Sequence, residues 1–222
     1  MAFDRATYNQ TFYKGAAQLA DTLLPPVLID QANVSPYGYN LERAKEYLAK
    51  AGYPDGKGLP TITLDAIVGT SAKDKAAFFA KCMGAIGIDV QVVTNLPAEH
   101  WNKIAKGATM MHLLTWQADY PDPSNFLQIL HSKELCGLFY ENADFNSRFH
   151  KAMATTNDAE RKALYLELNK LASEEVPVIC ALHVPEQYLH YNWVQNVVAN
   201  DFCPSLDEYI AVDMAVKVKA IK

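Results

Sequence analysis

TITLDAIV, residues 61–68, is the stretch that decides the fold. Ile62, Leu64, Ala66 and Val68 fall on alternate positions. An apolar period of two predicts a strand with one face against a core. Working outward, AKDKAAFFAKCMGAIG (72–87) reads as a helix that ends near Gly84 or Gly87. IDVQVVT (88–94) is a second strand, and AEHWNKIAKG (98–107) is a short helix closing at Gly107. MMHLLTW (110–116) follows as a third strand, apolar almost throughout, with Met110 to Leu114 broken only by His112. A strand buried on both faces has that composition, so this one is expected to be central. Strand, helix, strand, helix, strand predicts an α/β sheet with crossover helices.

On the N-terminal side, residues 3–14 look helical. Residues 15–39 form a long irregular connection carrying Pro25-Pro26, Pro36 and Gly38. Asn40 then reads as an N-cap to LERAKEYLAKAG, which puts Leu41, Ala44, Leu48 and Ala51 on one face and stops at Gly52. On the C-terminal side, residues 144–154 and 158–174 are expected helices, the second with Leu164, Leu168 and Leu171 at helical spacing. VPVICALHV and EQYLHYNWV are β-rich. Val212, Met214, Val216 and Val218 alternate with polar residues and predict a half-exposed strand. There is no internal repeat and no linker, so residues 1–222 are read as one domain.

Composition excludes several classes. Half of the 222 residues are hydrophobic and a fifth are charged, an ordinary globular balance. The net charge is −5, with no Lys/Arg stripe, so nucleic acid is not an expected partner. No apolar run reaches the roughly 18 residues of a membrane span. The opening MAFDRATYNQ carries Asp4 and lacks an apolar segment, so it is not read as a secretory signal. Cys82, Cys136, Cys180 and Cys203 are far apart and lack zinc-site spacing. They are read as small buried hydrophobes, with one structural disulfide as the alternative in an oxidising compartment.

Between the third strand and the later helices lies WQADYPDPSNF (116–126). Pro121 and Pro123 cannot continue a helix or a central strand, and each restrains the residue before it. The corner therefore leaves the C-terminal end of a strand, where open α/β sheets bind ligands. Trp116 with Asp119 three residues on suits a cation such as an amino terminus. The ring offers cation–π attraction and the carboxylate a charge-assisted hydrogen bond. The alternative is a plain structural turn in which Asp119 caps local amides.

Enzymatic readings find less support. His100, His112, His131, His150, His183 and His190 form no metal-binding motif, and no nucleotide loop or nucleophile elbow is present. Neither a catalytic residue, a metal ligand nor a cofactor is assigned. Asp119 with His112 or His131 could be drawn as an acid/base pair, and Asp119 with Asp122 as a carboxylate pair. His112 reads better as a satisfied core or rim residue. Trp101, Trp193, Met110-Met111 and Phe78-Phe79 read as core. Asn9-Gln10-Thr11 and Asn33-Val34-Ser35 match the glycosylation pattern.

Four blocks in order resemble the extracellular solute-binding proteins of family five, the oligopeptide, dipeptide and nickel-binding components of ABC importers. They are MAFDRATYNQTFYKGAA followed by LLPP, YGYNLERAKEYLAKAGYPDG, TWQADYPDPSNFL and ERKALYLELNKLASEEVPVICALHV. The second and third are specific, being similar to the family's Y-N-P-E-K-A-K-x-L-L-A-E-A-G-Y-P-D-G and G-W-x-A-D-Y-P-D-P-x-N-F-L. The resemblance implies one lobe of a type II periplasmic-binding-protein fold, a mixed sheet flanked by helices, in a periplasmic or extracellular setting. It implies that the other, N-terminal lobe is absent from this chain. In peptide-binding members the corner aspartate receives the ligand's amino terminus and the tryptophan lines the pocket. That assigns Asp119 and Trp116 these roles, Tyr120 the apolar wall, and Gln117 and Ala118 main-chain pairing with a peptide.

The implied partners are a peptide or other small cationic or zwitterionic solute and an importer permease. An apolar, aromatic cleft face left open by the absent lobe would also allow a homodimer through that face. Two positions depart from the pattern. Thr115 stands where a glycine is common, and Pro97 stands where a pocket tryptophan is common, with Trp101 about one turn later. The rival readings are a freestanding interaction module and a small hydrolase built on Asp119.

Overall fold

The computed structural model describes residues 1–28, 36–69, 71–198 and 209–221. The Asn33-Val34-Ser35 motif and Cys203 lie outside the described residues.

Helix α1 (Arg5–Tyr13) opens at Asp4, whose side chain accepts from the Thr7 amide. After it, β1 (Gln18–Leu19) breaks the expected irregular connection and pairs antiparallel with residues Leu182 and His183. Helix α2 (Leu41–Lys50) begins where the sequence places it, with the Asn40 side chain accepting from the Arg43 amide. The N-cap oxygen satisfies an amide that has no intrahelical partner, which fixes the start of the helix. The YPDG turn that follows packs backbone to backbone on Gly87, and a Cβ on Gly56 would sit 1.8 Å from the Gly87 carbonyl. Both glycines have positive φ, so glycine is required there twice over, by conformation and by space.

The central unit follows: β2 (Ile62–Ile67), α3 (Ala72–Gly84), β3 (Val90–Asn95), α4 (Pro97–Ala105) and β4 (Met111–His112). The sheet order is β3-β2-β4, all parallel. Leu64 and Ala66 point from β2 into a core with Ala76 and Phe79 of α3. Asp65, between them, points the other way and meets Lys103 of α4. The two crossover helices therefore cover opposite faces of β2.

The third strand differs from expectation. It has two residues instead of seven and pairs only with β2, so β2 is the central strand and β4 lies beside it. The run is apolar because it leaves the sheet between two cores. Leu113 packs on the core under the sheet, while Leu114 and Trp116 pack on the next one.

That second core is helical. It is built by α5 (Pro123–His131), α7 (Ala143–Ala154) and α8 (Asp158–Glu175), with the four-residue α6 (Lys133–Cys136) between the first two. Leu127, Leu130, Phe145, Phe149, Tyr165 and Leu168 are its largest buried members. Leu164 and Leu168 are buried as their spacing predicts.

The C-terminal part is less regular. β5 (Leu182–His183) and β6 (Val194–Gln195) are two residues each, and β7 (Ala211–Val212) pairs antiparallel with β6. The predicted strand through Val218 is instead α9 (Met214–Ile221). Asp213 overrides the alternation, since its carboxylate accepts from the amides of Ala215 and Val216 and starts a helix.

Of the residues read as core, Met111, Phe78 and Phe79 are, but Met110 is exposed. Trp101 is 50% exposed, packing edge-on against His100 instead of entering a core. Trp193 is half-buried and stacks on Tyr191. Cys82, Cys136 and Cys180 are free thiols.

Candidate functional site

The corner is fixed from both ends. Asp122 is the N-cap of α5, its Oδ1 accepting from the Ser124 amide at 2.9 Å, and Pro123 occupies the first helical position. The missing N–H of a proline costs nothing there, and its φ already suits the helix. The other oxygen of Asp122 meets Arg161 of α8 at 2.7 Å. Burial pushes the Asp122 carboxyl up, but the Ser124 hydroxyl and amide and the Arg161 guanidinium outweigh it and hold the carboxyl below its ordinary value. Arg161 also donates to the Tyr165 hydroxyl at 3.0 Å. Asp122 is thus a shaping residue that ties the corner to the helical core.

Upstream, Trp116 is half-buried against that core, and its indole Nε1 donates to Asn125 Oδ1 at 3.0 Å. The Asn125 Nδ2 donates in turn to Asp119 Oδ2 at 3.3 Å. Asp119 is exposed, and its second oxygen has no partner among the described residues. Tyr120 is 42% exposed, with its hydroxyl 3.4 Å from Ser124 Oγ. Gln117 is exposed and Ala118 half-buried. The structure therefore brings Trp116, Asp119 and Tyr120 onto one rigid bend, with a carboxylate oxygen and an aromatic ring facing solvent.

Neither drawn catalytic pair forms. His131 bonds Asn146 at 2.9 Å, and His112 contacts Thr109 at 3.3 Å. Asp119 and Asp122 have separate partners, Asn125 for one and Arg161 for the other. The sequence does not single out Asn125 or Arg161. A usable signal for Asn125 was its place one turn before Ile129, on the side of α5 that faces the core.

A second polar cluster lies where β2 and β3 end. Asp65, 2% exposed, accepts from Asn95 at 2.6 Å and from the Lys103 ammonium. His100 and His112 lie beside it with ring centroids 6.4 Å apart. Among the described residues the buried His100 Nδ1 has no hydrogen-bond partner, whereas His112 sits between Thr109 and the Cys136 backbone. Burial holds the His100 ring below its ordinary value, with Asp65 opposing and Lys103 assisting. Burial does the same to His112, with the nearby Cys136 backbone opposing, and to His183 of β5.

These shifts set a pH dependence. Unfolded histidines take up protons near pH 6.5, and folded His100, His112 and His183 below it. The unfolded chain therefore binds more protons in that window, and stability is lost as pH falls through it. Urea unfolding should show a lower midpoint at about pH 5.5 than at about pH 7.5, and a smaller difference in His100→Gln. A midpoint that rises on acidification would contradict the arrangement.

A cavity of about 370 Å³ lies elsewhere, lined by Arg5, Asp21, Tyr37, Tyr47 and Val178 among others. Its charged pair, Arg5 and Asp21, is closed on itself at 2.9 Å. The corner carries the free acceptor, which makes it the stronger candidate.

Comparison with known proteins bears on the family and the fold. The model of the bacterial extracellular solute-binding proteins, family 5 middle region, matches residues 1–134, a span that takes in both the parallel sheet and the corner. Heme-binding protein A of Haemophilus influenzae is 27% identical over 189 residues, which are 82% of this chain and 35% of that protein. Di/tripeptide-binding protein 1 of Pseudomonas aeruginosa is 27% identical over 196 residues, again 82% of this chain and 35% of that one. Among solved structures, the ABC transporter-associated periplasmic binding protein DppA of Helicobacter pylori, in complex with the peptide STSA, superposes with a TM-score of 0.74. It is 30% identical over 82% of this chain and 36% of its own. The chain thus spans about a third of the length of these relatives, and its α/β architecture is that of the periplasmic binding proteins. On its sequence match and its fold alike, the chain belongs to the bacterial extracellular solute-binding proteins of family 5.

Proposed function

We propose that the chain supplies the amine-receiving lobe of a solute-binding protein that delivers short peptides to an ABC importer. Asp119 takes the ligand's amino terminus, Trp116 and Tyr120 wall the first side chain, and the main chain at Gln117 and Ala118 pairs with the peptide backbone. The observation that carries this reading is the free oxygen of Asp119, exposed beside Tyr120 on a bend held from below by Asn125. The names of the Pseudomonas and Helicobacter relatives support the peptide class. The name of the Haemophilus relative raises haem as a second ligand. A net charge of −5 and an exposed carboxylate suit an ammonium better than haem propionates.

No chemistry is required of the site. A second lobe closing over the ligand by hinge motion gives the permease a closed form to read. A complete clamshell binding at about 1 μM gains roughly 8 kcal/mol from its ligand. Keeping half of that leaves a Kd of about 1 mM for one lobe. Calorimetry with tri-alanine, N-acetyl-tri-alanine and hemin tests the reading. Tri-alanine should bind in the millimolar range and the acetylated peptide should not saturate. Equal binding of the two peptides, or preference for hemin, removes Asp119 from the role.

A further inference from the structure

We propose that Asn125 is the positioning residue of the corner, orienting the Asp119 carboxylate while leaving its charge undiminished for a cationic ligand. The inference rests on the reading of Asp119 as the ammonium receiver. The Asn125 side chain is fully buried, at 0% exposure, in the first turn of α5. Its backbone is fixed at both ends, the amide donating to the Asp122 carbonyl at 3.0 Å and the carbonyl accepting from Gln128 Nε2 at 3.1 Å.

The orientation of its amide is decided by chemistry. An indole N–H can only donate, so the group facing Trp116 must be the Asn125 oxygen. The amide nitrogen is then turned outward, and an ionised carboxylate, which can only accept, is the partner it finds in Asp119. Trp116, Asn125 and Asp119 therefore form a polarised chain running from the core to the surface.

The neutral donor matters. An arginine or lysine could hold a carboxylate as firmly, but would cancel the charge that attracts an ammonium. Arg161, the nearest cation bonded to the corner, is committed to Asp122 and Tyr165. Asp119 has an amide on one oxygen and keeps the other for the ligand. Other side chains at 125 fail in separable ways. Aspartate still serves the indole but sets a second carboxylate against Asp119. Leucine serves neither partner.

The test uses Asn125→Asp and Asn125→Leu in the 222-residue chain. The readouts are the Trp116 indole signal, the Asp119 carboxyl followed by ¹³C NMR against pH, and tri-alanine binding. In Asn125→Asp the indole stays bonded. The two facing carboxyls share a proton and titrate at least about one pH unit above Asp119 in the unmodified chain. That titration reports that the two groups face each other, and the tri-alanine affinity of Asn125→Leu reports on positioning. In Asn125→Leu the indole signal shifts to that of a free N–H, and tri-alanine affinity falls about tenfold. Should the leucine variant fail to fold, the near-isosteric aspartate variant decides the matter. An Asp119 titration unchanged in Asn125→Asp overturns the proposal. Absence of tri-alanine binding to the unmodified chain would sink the peptide reading instead, because the carboxyl titration needs no ligand.

Discussion

Replacing Phe145 with alanine is expected to cost about 3–5 kcal/mol of stability. The ring is completely buried in the helical core. It stacks on Phe149 with centroids 6.3 Å apart and meets Tyr140 edge-on at 5.7 Å. Truncation removes its transfer free energy and leaves a hole that α5, α7 and α8 cannot all close at once. At about 2–4 °C per kcal/mol for a chain of this size, the melting temperature should fall by roughly 10 °C. Leu189 is 95% exposed, and Leu189→Ala should change stability by no more than about 0.5 kcal/mol. Urea unfolding of both variants checks this. A loss below about 1 kcal/mol for Phe145→Ala would mean that the core repacks freely. The consequence reaches the corner, because Trp116 is seated on the same cluster.

The second large effect is on binding. Asp119→Asn keeps the shape of the side chain and removes its charge. Because Asp119 is exposed, stability should change by less than about 0.5 kcal/mol. The ammonium of a peptide loses its charge-assisted partner, which is worth about 2 kcal/mol or more, or roughly 30-fold in affinity. From a millimolar starting point, tri-alanine binding should fall out of the range of calorimetry. Saturation of Asp119→Asn at the concentration that saturates the unmodified chain would place the amino terminus elsewhere.

Much of the fold was legible because its signals are local. Asn40 caps α2 as its position ahead of an amphipathic run predicts, and the alternation in TITLDAIV marks the strand β2, although Asp65 on its other face is buried too. Leu164 and Leu168 mark one face of α8. The misreadings arose where tertiary context overrides a local pattern. MMHLLTW looks like a central strand, yet it is apolar because two cores claim successive residues of it. The alternation through Met214, Val216 and Val218 yields to a helix once Asp213 caps it. Trp101 is large and aromatic, and the sequence does not say that its turn of α4 faces solvent.

The site divides in the same way. Pro121 and Pro123 announce a stiff corner, and the aromatic and acidic residues around them suggest what it holds. The spacing of Asn125 to Ile129 marks it as core-facing, but its role was not legible, because one amide joining Trp116 to Asp119 is a fact of three-dimensional register. Nor was the Asp122–Arg161 pair, whose partners are 39 positions apart in the chain (161 minus 122).

The central claim is that the corner receives a peptide's amino terminus. Its most direct test is an NMR titration of the ¹⁵N-labelled chain with tri-alanine, following the Trp116 indole and the amides of residues 115–120. Saturable shifts confined to those signals, absent with N-acetyl-tri-alanine, are the predicted result. A well-folded spectrum in which those signals stay still, or in which the shifts gather around the Arg5–Asp21 cavity instead, would contradict it.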